Sequence, residues 1–423
     1  MPARPLRRAV AVLACSASLL LLPQAASSSP SGGGLRAGEP GSGPPTWTVD
    51  VSSRSPDGAL ATEVRWSDVP NSLWAHTAID YVGATNDWMR DWKAAADGRY
   101  EFRPDKRESR GLFARALFRA FGAGVGQDAN LSFPDLPSTD NFFRFANVAV
   151  SAGWMETAQD GSFRPNDPVT TREVHRALVL AIGFGDLAAG ADALHLRDGT
   201  PIDTPKDFGT LLIGMRIGLR YNHGDESLDV GPDDPLSRAE VAWSLFRAST
   251  EPTWMHDSLS KYATMTLPNL SKKLQRVVAF AVKYVAYPYV WAGEWNVPTG
   301  SGYCCGAQPV GGFDCSGLTW WVMKQPVSGW DPTPPRDYEG WSLPERVSAS
   351  MAAVGKHVRW DDKRPGDLLF YDGDDDGRVD HVDTFIGGGW AIDSGGSNAG
   401  VTLTWVSNNW YEDHFVHARR ILT

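Results

Sequence analysis

Phe313-Asp314-Cys315-Ser316-Gly317-Leu318 is the stretch that decides how the C-terminal part of this chain is interpreted. Residues 318–323 contain no glycine or proline that would break a helix. The stretch therefore predicts a helix with Cys315 in its first turn. The positive end of a helix dipole favours an anion, and the thiolate is the nucleophilic form of cysteine. Cys315 is therefore a candidate nucleophile, although most isolated cysteines are inert buried thiols.

His381 is the candidate base for this thiol. It follows the turn sequence Pro365-Gly366-Asp367-Leu368 and begins a run with strand character. An imidazole changes its charge near neutral pH, which suits proton transfer from a thiol and back to a leaving amine.

A hairpin is predicted immediately after His381. The apolar run up to Ile386, three glycines and the run from Trp390 to Asp393 predict two strands joined by a three-residue loop. Counting across the loop pairs Ile386 with Trp390. The same register places Asp393 opposite Asp383 and diagonal to His381. Either carboxylate is a candidate to orient the imidazole and to stabilise its cation.

The same half contains Pro288-Tyr289-Val290-Trp291-Ala292-Gly293. Together with the cysteine stretch, the Pro-Gly-Asp-Leu turn and His381, in this order, it resembles the NlpC family of papain-like cell-wall cysteine peptidases over residues 271–423. The resemblance implies an α+β, papain-like domain in which a helix packs on an antiparallel sheet. It also implies a thiol endopeptidase that cleaves peptidoglycan stem peptides, most often between D-glutamate and the diamino acid.

The resemblance also implies roles for single residues. Cys315 and His381 correspond to the nucleophile and the base, and Asp393 to a third polar residue that in the family is more often His, Asn or Gln. Asp383 stands where the family usually has glycine.

Further groups are predicted at the substrate. The Tyr289 hydroxyl, which the family places near the thiolate, and the side chains of Asp314 and Ser316 are candidates to bind the substrate or its oxyanion. The backbone amide of Cys315, at a helix start, is another candidate oxyanion donor.

An insertion between Gly293 and Asp314 is longer than the family usually has, and it contains Cys304-Cys305. Three states are open for this pair: a vicinal disulfide, a bond from one of them to Cys315 that silences the enzyme, or free thiols. The chain has too few cysteines for a disulfide framework, even though an exported protein is able to form one.

The stretch Asp372-Gly373-Asp374-Asp375-Asp376-Gly377 opens a calcium-loop pattern. The oxygen ligands that this pattern predicts belong to Asp372, Asp374, Asp376, Asp380 and Asp383. Because no EF-hand helices flank the loop, the alternative is a solvated acidic turn between two strands. Calcium would order the loop that presents His381, whereas the thiol chemistry itself requires no cofactor.

The N-terminal half repeats itself, with units at about 51–123, 130–185 and 186–252. Trp66-Ser67-Asp68-Val69-Pro70 matches Phe133-Pro134-Asp135-Leu136-Pro137, and each unit closes on a Ser- or Thr-led helix entry. The units resemble three S-layer homology repeats, mainly α-helical modules that attach exported proteins to anionic secondary polymers of a Gram-positive type of cell wall.

In that repeat family an arginine of the helix entry contributes to a groove for an anionic sugar, which carries over to Arg110, Arg172 and Arg238. A guanidinium suits a carboxylated ligand because its donors bind bidentately. The same Ser/Thr-x-x-Glu pattern is also a plain capping box. The first unit has Gly111 in place of the glutamate, and the third lacks the Asp-Gly-x-Phe turn that begins at Asp160 in the second.

Residues 1–28 have the order of a secretory signal peptide, with early arginines, an apolar run and then small residues. Residues 29–50 form a Ser/Gly/Pro-rich linker, and 253–270 link the repeats to the C-terminal domain. After signal removal no segment approaches the ~20 apolar residues of a membrane span. The net charge of -10 and the pI near 5.4 argue against a nucleic-acid partner.

We therefore expect a secreted, wall-attached cysteine hydrolase whose partners are stem peptides and an anionic wall polymer. An amidase or acyltransferase on the same scaffold is the enzymatic alternative. A non-catalytic wall-binding or surface-layer protein is the alternative from another class, and the intact Cys315 and His381 argue against it.

Overall fold

The computed structural model describes residues 64–295, 311–323, 343, 345–396 and 400–422. The predicted signal peptide, the linker at 29–50 and the Cys304-Cys305 pair lie outside the described residues. The signal peptide and the state of the two cysteines therefore stay predictions.

The described residues form short helices in the N-terminal half and a mixture of helices and strands in the C-terminal half. The α-helices are α1 His76–Ile79, α2 Arg110–Phe121, α3 Phe143–Ser151, α4 Thr171–Ala181, α5 Gly185–Asp192, α6 Phe208–Arg216, α7 Arg238–Ser249, α8 Met255–Ser258, α9 Lys272–Val282, α10 Cys315–Met323, α11 Ser348–Met351 and α12 Trp410–Asp413. A π-helix spans Asp80–Thr85, and 3₁₀-helices span Glu226–Leu228, Ser260–Thr264 and Trp360–Asp362. The strands are β1 His195–Leu196, β2 Thr266–Leu267, β3 Glu294–Trp295, β4 Gly312–Phe313, β5 Lys356–Val358, β6 Leu368–Tyr371, β7 His381–Gly387, β8 Trp390–Gly395, β9 Gly400–Trp405 and β10 Phe415–Arg420.

Three equivalent helices, α2, α4 and α7, organise the N-terminal half. Each begins after a hydroxyl residue whose side chain accepts a hydrogen bond from the amide three residues on, and these caps are Ser109, Thr170 and Ser237. Short antiparallel bridges join the first unit to the second, the second to the third and the third to the first. The repeated sequence therefore closes into a ring of three helical units.

The first two units also repeat a hydrogen-bond pattern. Asp68 accepts bonds from the amides of residues 102 and 103, and Asp135 accepts them from the amides of residues 163 and 164. The aspartate of the aligned Trp/Phe-x-Asp-x-Pro segments thus ties the start of each unit to its turn, which explains why the alignment is visible in sequence.

An antiparallel sheet of strand order β5-β10-β6-β7-β8-β9 forms the centre of the C-terminal half. Helix α10 packs against β7 and β8, and α9 packs against α10. Ser271 caps α9, because its side chain accepts a hydrogen bond from the amide of Leu274. The predicted α+β fold, with a helix packed on an antiparallel sheet, is confirmed.

The hairpin of β7 and β8 differs from the prediction at its tip. Gly387, not Ile386, pairs with Trp390, because a bulge between Phe385 and Gly387 adds one residue to β7. The loop glycines at 387–389 all have positive φ, which is what permits this compact connection. Beyond the bulge the predicted register holds, since Thr384 pairs with Ile392. The error therefore does not reach the aspartates next to His381.

The third helical unit packs directly on the C-terminal sheet. Helix α6 contacts β9, and Leu211 and Met215 of α6 form a buried cluster with Ala286. In the part of the chain that the structure describes, none of the helices combines the length and apolar character that a bilayer span requires.

Candidate active site

Cys315 is the first residue of α10 and is 8% exposed. The helix begins there because the Asp314 carboxylate accepts a hydrogen bond from the amide of Gly317, as an N-cap residue does. A side chain at Gly317 would overlap the carbonyl oxygen of Gly293, so close packing also requires glycine at this position. The cysteine thus lies at a helix start that is fixed from both sides.

Arg346 holds this helix start in place. Its Nη1 lies 3.0 Å from Oδ1 of Asp314 and 2.9 Å from Oγ of Ser316, and its Nη2 lies 3.0 Å from the carbonyl oxygen of Gly293. Asp314 and Ser316 are both buried and bonded to each other. Their placement does not support the predicted contact with substrate or oxyanion. They fix the position of Cys315 instead.

His381 stands at the start of β7 and is bonded on one ring nitrogen to two carboxylates. Its Nε2 lies 3.0 Å from Oδ1 of Asp383 and 2.9 Å from Oδ1 of Asp393, and both aspartates are fully buried. These acceptors fix a proton on Nε2, so Nδ1 is the basic nitrogen of the neutral ring. Among the described residues Nδ1 has no hydrogen-bond partner.

The thiol lies beside this imidazole. The Sγ of Cys315 is 4.0 Å from the carbonyl oxygen of Asp380, the residue that precedes His381. The charge of Cys315 contributes to raising the pKa of His381. The structure therefore brings together the predicted nucleophile, the predicted base and both candidate orienting carboxylates.

The two aspartates differ in their protonation. Burial raises the pKa of Asp383 to about 8, and the neighbouring charge of Asp393 adds to this effect. Burial also acts on Asp393, but the charge and hydrogen bond of His381 outweigh it and lower the pKa of Asp393. At neutral pH Asp383 is therefore mainly protonated and Asp393 is ionised.

The imidazole responds to this environment. Burial lowers the pKa of His381, but the negative charge shared by Asp383 and Asp393, which at neutral pH lies mainly on Asp393, outweighs burial and holds the pKa well above its usual value. The site consequently favours an imidazolium.

Two buried tyrosines complete the surroundings of the aspartates. The Tyr411 hydroxyl of α12 donates to Oδ2 of Asp393 at 3.2 Å. Tyr371 of β6 lies with its ring centroid 5.8 Å from that of His381. Burial and the charge of Asp383 raise the pKa of Tyr371 well above its usual value, so this phenol stays neutral. Asp393 is thus held at both oxygens, which sets the plane of its carboxylate.

Tyr289 lies next to the strand that leads into Cys315. It forms a parallel bridge with Phe313, and the amide of Val290 donates to the carbonyl of Phe313 at 3.2 Å. Burial and then the charge of Cys315 raise the pKa of Tyr289, so its hydroxyl is a neutral donor. Tyr289 therefore lies beside the strand that leads into Cys315, and its contact with the thiolate stays a prediction.

The predicted calcium loop is assembled only in part. Carboxylate oxygens within 4.8 Å of one another belong to Asp372, Asp374 and Asp376. The Asp380 carboxylate accepts a hydrogen bond from the amide at position 373, near the start of the loop. Asp383 is instead buried against the imidazole, which corrects its prediction as the fifth ligand. Its side chain follows the alternation of β7 toward His381 and not toward the loop.

The predicted polymer-binding arginines have unequal surroundings. Arg238 is fully buried: its Nε donates to the carbonyl of Phe102 at 2.7 Å, and its guanidinium pairs with Glu108 at 2.5 Å and Asp91 at 2.8 Å. A ligand cannot reach this buried side chain, so the prediction that Arg238 binds the polymer is wrong. Arg238 instead connects the third unit to the first. Arg110 makes the matching bond to a phenylalanine carbonyl of the second unit.

Arg110 and Arg172 do line a groove of about 300 Å³ beside the second unit. Arg172 is partly exposed and pairs with Asp233 at 2.7 Å. The other basic side chains that reach the groove are Arg164, Arg176 and Lys206. Four carboxylates also line the groove and pair with most of these cations, so its charge is mixed; they belong to Glu156, Asp167, Glu173 and Asp207.

Arg346 and Tyr411 are site residues that the sequence analysis missed. Their partners Asp314 and Asp393 lie 32 and 18 positions away in the chain, in other elements. Neither residue belongs to a local pattern that indicates a partner, so only the fold reveals these contacts.

Comparison with known families agrees with this geometry. Residues 286–420 match the model of the NlpC/P60 family, and residues 132–172 match the model of the S-layer homology domain. The first match contains Cys315, His381 and both aspartates. The sequence prediction of an NlpC domain and of S-layer homology sequence is confirmed, with one such domain matched where the sequence predicts three.

Curated relatives match the chain over part of its length. It is 32% identical over 139 residues to Protein P54 of Enterococcus faecium, covering 33% of this chain and 21% of that protein. It is 27% identical over 148 residues to the bifunctional muramidase/DL-endopeptidase CwlT of Bacillus subtilis, covering 35% and 36%. It is 34% identical over 93 residues to the surface layer protein of Brevibacillus choshinensis, covering 21% and 8%. The matched part of this chain spans about half or less of the length of each of the first curated relatives.

Among solved structures, an NlpC/P60 family protein from Bacillus cereus aligns with a TM-score of 0.26 and 24% identity, over 37% of this chain and 42% of that chain.

Proposed function

We propose that the protein is an exported, wall-attached peptidoglycan hydrolase that cleaves stem peptides by a thiol mechanism. The observation that carries the proposal is the bonding of His381. Its Nε2 is held by two buried carboxylates, beside a cysteine at a helix start. This is the arrangement that a nucleophilic thiol needs: a base with a fixed tautomer and a counter-charge for its cation.

In the first half of the reaction, His381 takes the thiol proton on Nδ1 and the Cys315 sulfur attacks the carbonyl carbon of the scissile amide. The developing oxyanion is stabilised by the backbone amide of Cys315, which as a first-turn group has no intrahelical acceptor, and by the neutral hydroxyl of Tyr289. The C–N bond then breaks, and His381 gives its proton to the leaving amine. A thioester with Cys315 is left.

In the second half, water attacks the thioester while His381 accepts one of its protons. The C–S bond breaks, the acid product leaves and the thiol is restored. Asp393 keeps the imidazole oriented through both halves and faces the cation in each transition state, and Tyr411 keeps Asp393 oriented in turn.

We further propose that the bond cleaved is the one between D-glutamate and the diamino acid. The family match over 286–420 and the endopeptidase relative support this class of substrate. The three helical units are proposed to be S-layer homology repeats, one of which is matched by the family model. The groove lined by Arg110 and Arg172 is the proposed site for an anionic wall polymer.

Digestion of purified peptidoglycan by the full protein and by Cys315→Ala tests the hydrolase proposal. We expect new stem-peptide fragments, identified by mass spectrometry, from the wild type alone. Fragments that are equal in both digests would rule out the thiol mechanism, and blank digests under reducing conditions would favour a protein that only binds the wall. Co-sedimentation of the same protein with isolated wall polymer tests the attachment separately.

A further inference from the structure

The turn at 225–228 of the third helical unit differs from its counterpart in the second. In the second unit Asp160 accepts bonds from the amide and hydroxyl of Ser162, with Gly161 between them. In the third unit Asp225 makes the same two bonds to Ser227, at 3.1 and 2.6 Å. The Asp-x-Ser bonds of the turn are therefore kept, but Glu226 stands where the second unit has glycine.

Glu226 uses this position to reach the C-terminal half. Both of its carboxylate oxygens lie 2.9 Å from the backbone nitrogen of Trp291, which donates to them. An amide shared between two carboxylate oxygens is a charge-assisted hydrogen bond, stronger than one between neutral groups. The residue that breaks the repeat pattern is thus the one that contacts the other half of the chain.

The segment that Glu226 holds forms a wall of the candidate active site. Tyr289, two residues before Trp291, bridges to Phe313 on the strand that leads into the nucleophile. Two residues after Trp291, the carbonyl of Gly293 accepts bonds from the amide of Asp314 and from Arg346. Between these two attachments Ala292 has a φ of 59°, a conformation that a non-glycine residue rarely adopts.

The third unit also holds the start of this segment. Arg220, buried in that unit, donates to the carbonyl oxygen of Ala286 at 2.7 Å. Ala286 has a φ of 70° and packs against Leu211 and Met215 of α6. The third unit therefore holds the segment 286–293 at two points, at Ala286 through Arg220 and at Trp291 through Glu226.

We propose that Glu226 of the third helical unit is a positioning residue for the thiol chemistry, which holds 289–293 so that Tyr289 stays aligned with Cys315. This inference rests on the proposed hydrolase function. It makes the third unit a support of the candidate active site as well as a member of the ring of three helical units. The effect is indirect, through the amide of Trp291, and Glu226 itself does not touch the substrate.

Two substitutions separate the hydrogen bond from the charge. Glu226→Gln keeps a side-chain oxygen that accepts from the Trp291 amide, whereas Glu226→Ala removes every acceptor. Glu101→Gln, an exposed glutamate of the first unit paired with Arg103, is the matched control. All variants are made in the full chain and checked for an unchanged melting temperature.

Three readouts are taken for each protein: kcat and KM on a stem peptide, the alkylation rate of Cys315 by iodoacetamide, and hydrogen exchange of a peptide that covers 287–293. We expect Glu226→Ala to lower kcat by about tenfold with little change in KM, since small misplacements of catalytic groups are costly. Exchange at 287–293 rises in the same variant, while the alkylation rate stays as in the wild type. Glu226→Gln and the control keep most of the activity.

Several outcomes would overturn the proposal. A rise in KM with unchanged kcat would make Glu226 a substrate contact, and an equal loss in the Gln and Ala variants would make its charge the important property. Unchanged exchange at 287–293 in Glu226→Ala would show that the contact does not order the segment. If the wild type hydrolyses no stem peptide, the proposed function fails, and the exchange data alone still decide whether Glu226 holds the segment.

Discussion

Replacing Asp383 and Asp393 by asparagine, singly and together, gives the sharpest test of how His381 is activated. Both carboxylates contact the same Nε2, at 3.0 and 2.9 Å, but they differ in charge. Asp383, with a pKa of about 8, is mainly neutral at pH 7, and asparagine mimics a neutral carboxyl group. We therefore expect Asp383→Asn to retain activity within about threefold of the wild type.

Asp393→Asn removes the ionised partner, yet the site is able to compensate. Without the charge of Asp393 beside it, Asp383 loses one cause of its raised pKa and becomes easier to ionise. It then supplies the counter-charge from the same distance to Nε2. We expect a loss of only about tenfold in kcat for this variant, roughly 1.4 kcal/mol.

The double variant has no counter-charge for a buried imidazolium. Charge centres about 4 Å apart interact by roughly 4 kcal/mol at an effective dielectric constant of about 20. That energy corresponds to about a thousandfold loss in kcat, more than the product of the two single losses.

The assay is steady-state hydrolysis of a stem tripeptide at pH 7, with Cys315→Ala as the blank and melting temperatures as the check on folding. A double variant whose loss equals the product of the single losses would refute the compensation. Asp383→Asn being more damaging than Asp393→Asn would refute the assignment of the charge to Asp393.

The remaining predictions concern stability and metal binding. Burial raises the pKa of Glu108 and of Asp229 to about 7, so each carboxyl group stabilises the fold in its protonated form. This contribution is fully present below the unfolded-state pKa of about 4 and is lost as the pH rises through 7. For Glu108 the loss in unfolding free energy is about 3 kcal/mol. We expect the melting temperature to fall from pH 5 to pH 8, and a rise would contradict this. Arg238→Ala leaves the buried carboxylate of Glu108 without its cation, while Asp91 keeps Arg115, and should lower the unfolding free energy, measured in urea, by about 3–5 kcal/mol. The loss expected for the more exposed Arg172→Ala is below about 1 kcal/mol, and equal losses would contradict the buried tie. We expect calorimetry to show calcium binding at the acidic loop of the wild type and weaker binding in Asp374→Asn. No heat of binding in the wild type would contradict this prediction.

Most of the correct predictions for the C-terminal half rest on short-range sequence patterns. The helix at Cys315 follows from a capping aspartate and a run without breakers, both within a few residues. The pairing of Asp383 with Asp393 follows from strand alternation, which tolerates an error at the loop because the bulge lies on the far side of Phe385. The prediction was wrong at Ile386 because three consecutive glycines allow more than one loop geometry.

The contacts that the sequence did not reveal join distant parts of the chain. Arg346 pairs with Asp314 and Glu226 with Trp291, and the second pair is 65 positions apart. The sequence marks Glu226 only weakly, because it replaces the glycine of a repeated turn. Such a departure from a repeat does not indicate which residue the side chain contacts.

The arginines of the repeats show a second limit of prediction from sequence patterns. Arg238 is the first residue after its cap Ser237, whereas Arg172 is the second residue after its cap Thr170. This shift by one position separates a fully buried tie from a partly exposed groove residue. The pattern of a capped helix start is common to both, so it does not decide between structure and binding.

The most direct test of the account is the hydrolysis of a synthetic stem tripeptide, L-alanyl-γ-D-glutamyl-diamino acid, by the wild type, Cys315→Ala and His381→Gln under reducing conditions. Release of the free diamino acid by the wild type, with both variants reduced to the blank rate, is the predicted result. Wild-type cleavage that persists in Cys315→Ala, or an intact tripeptide with the wild type, would contradict it.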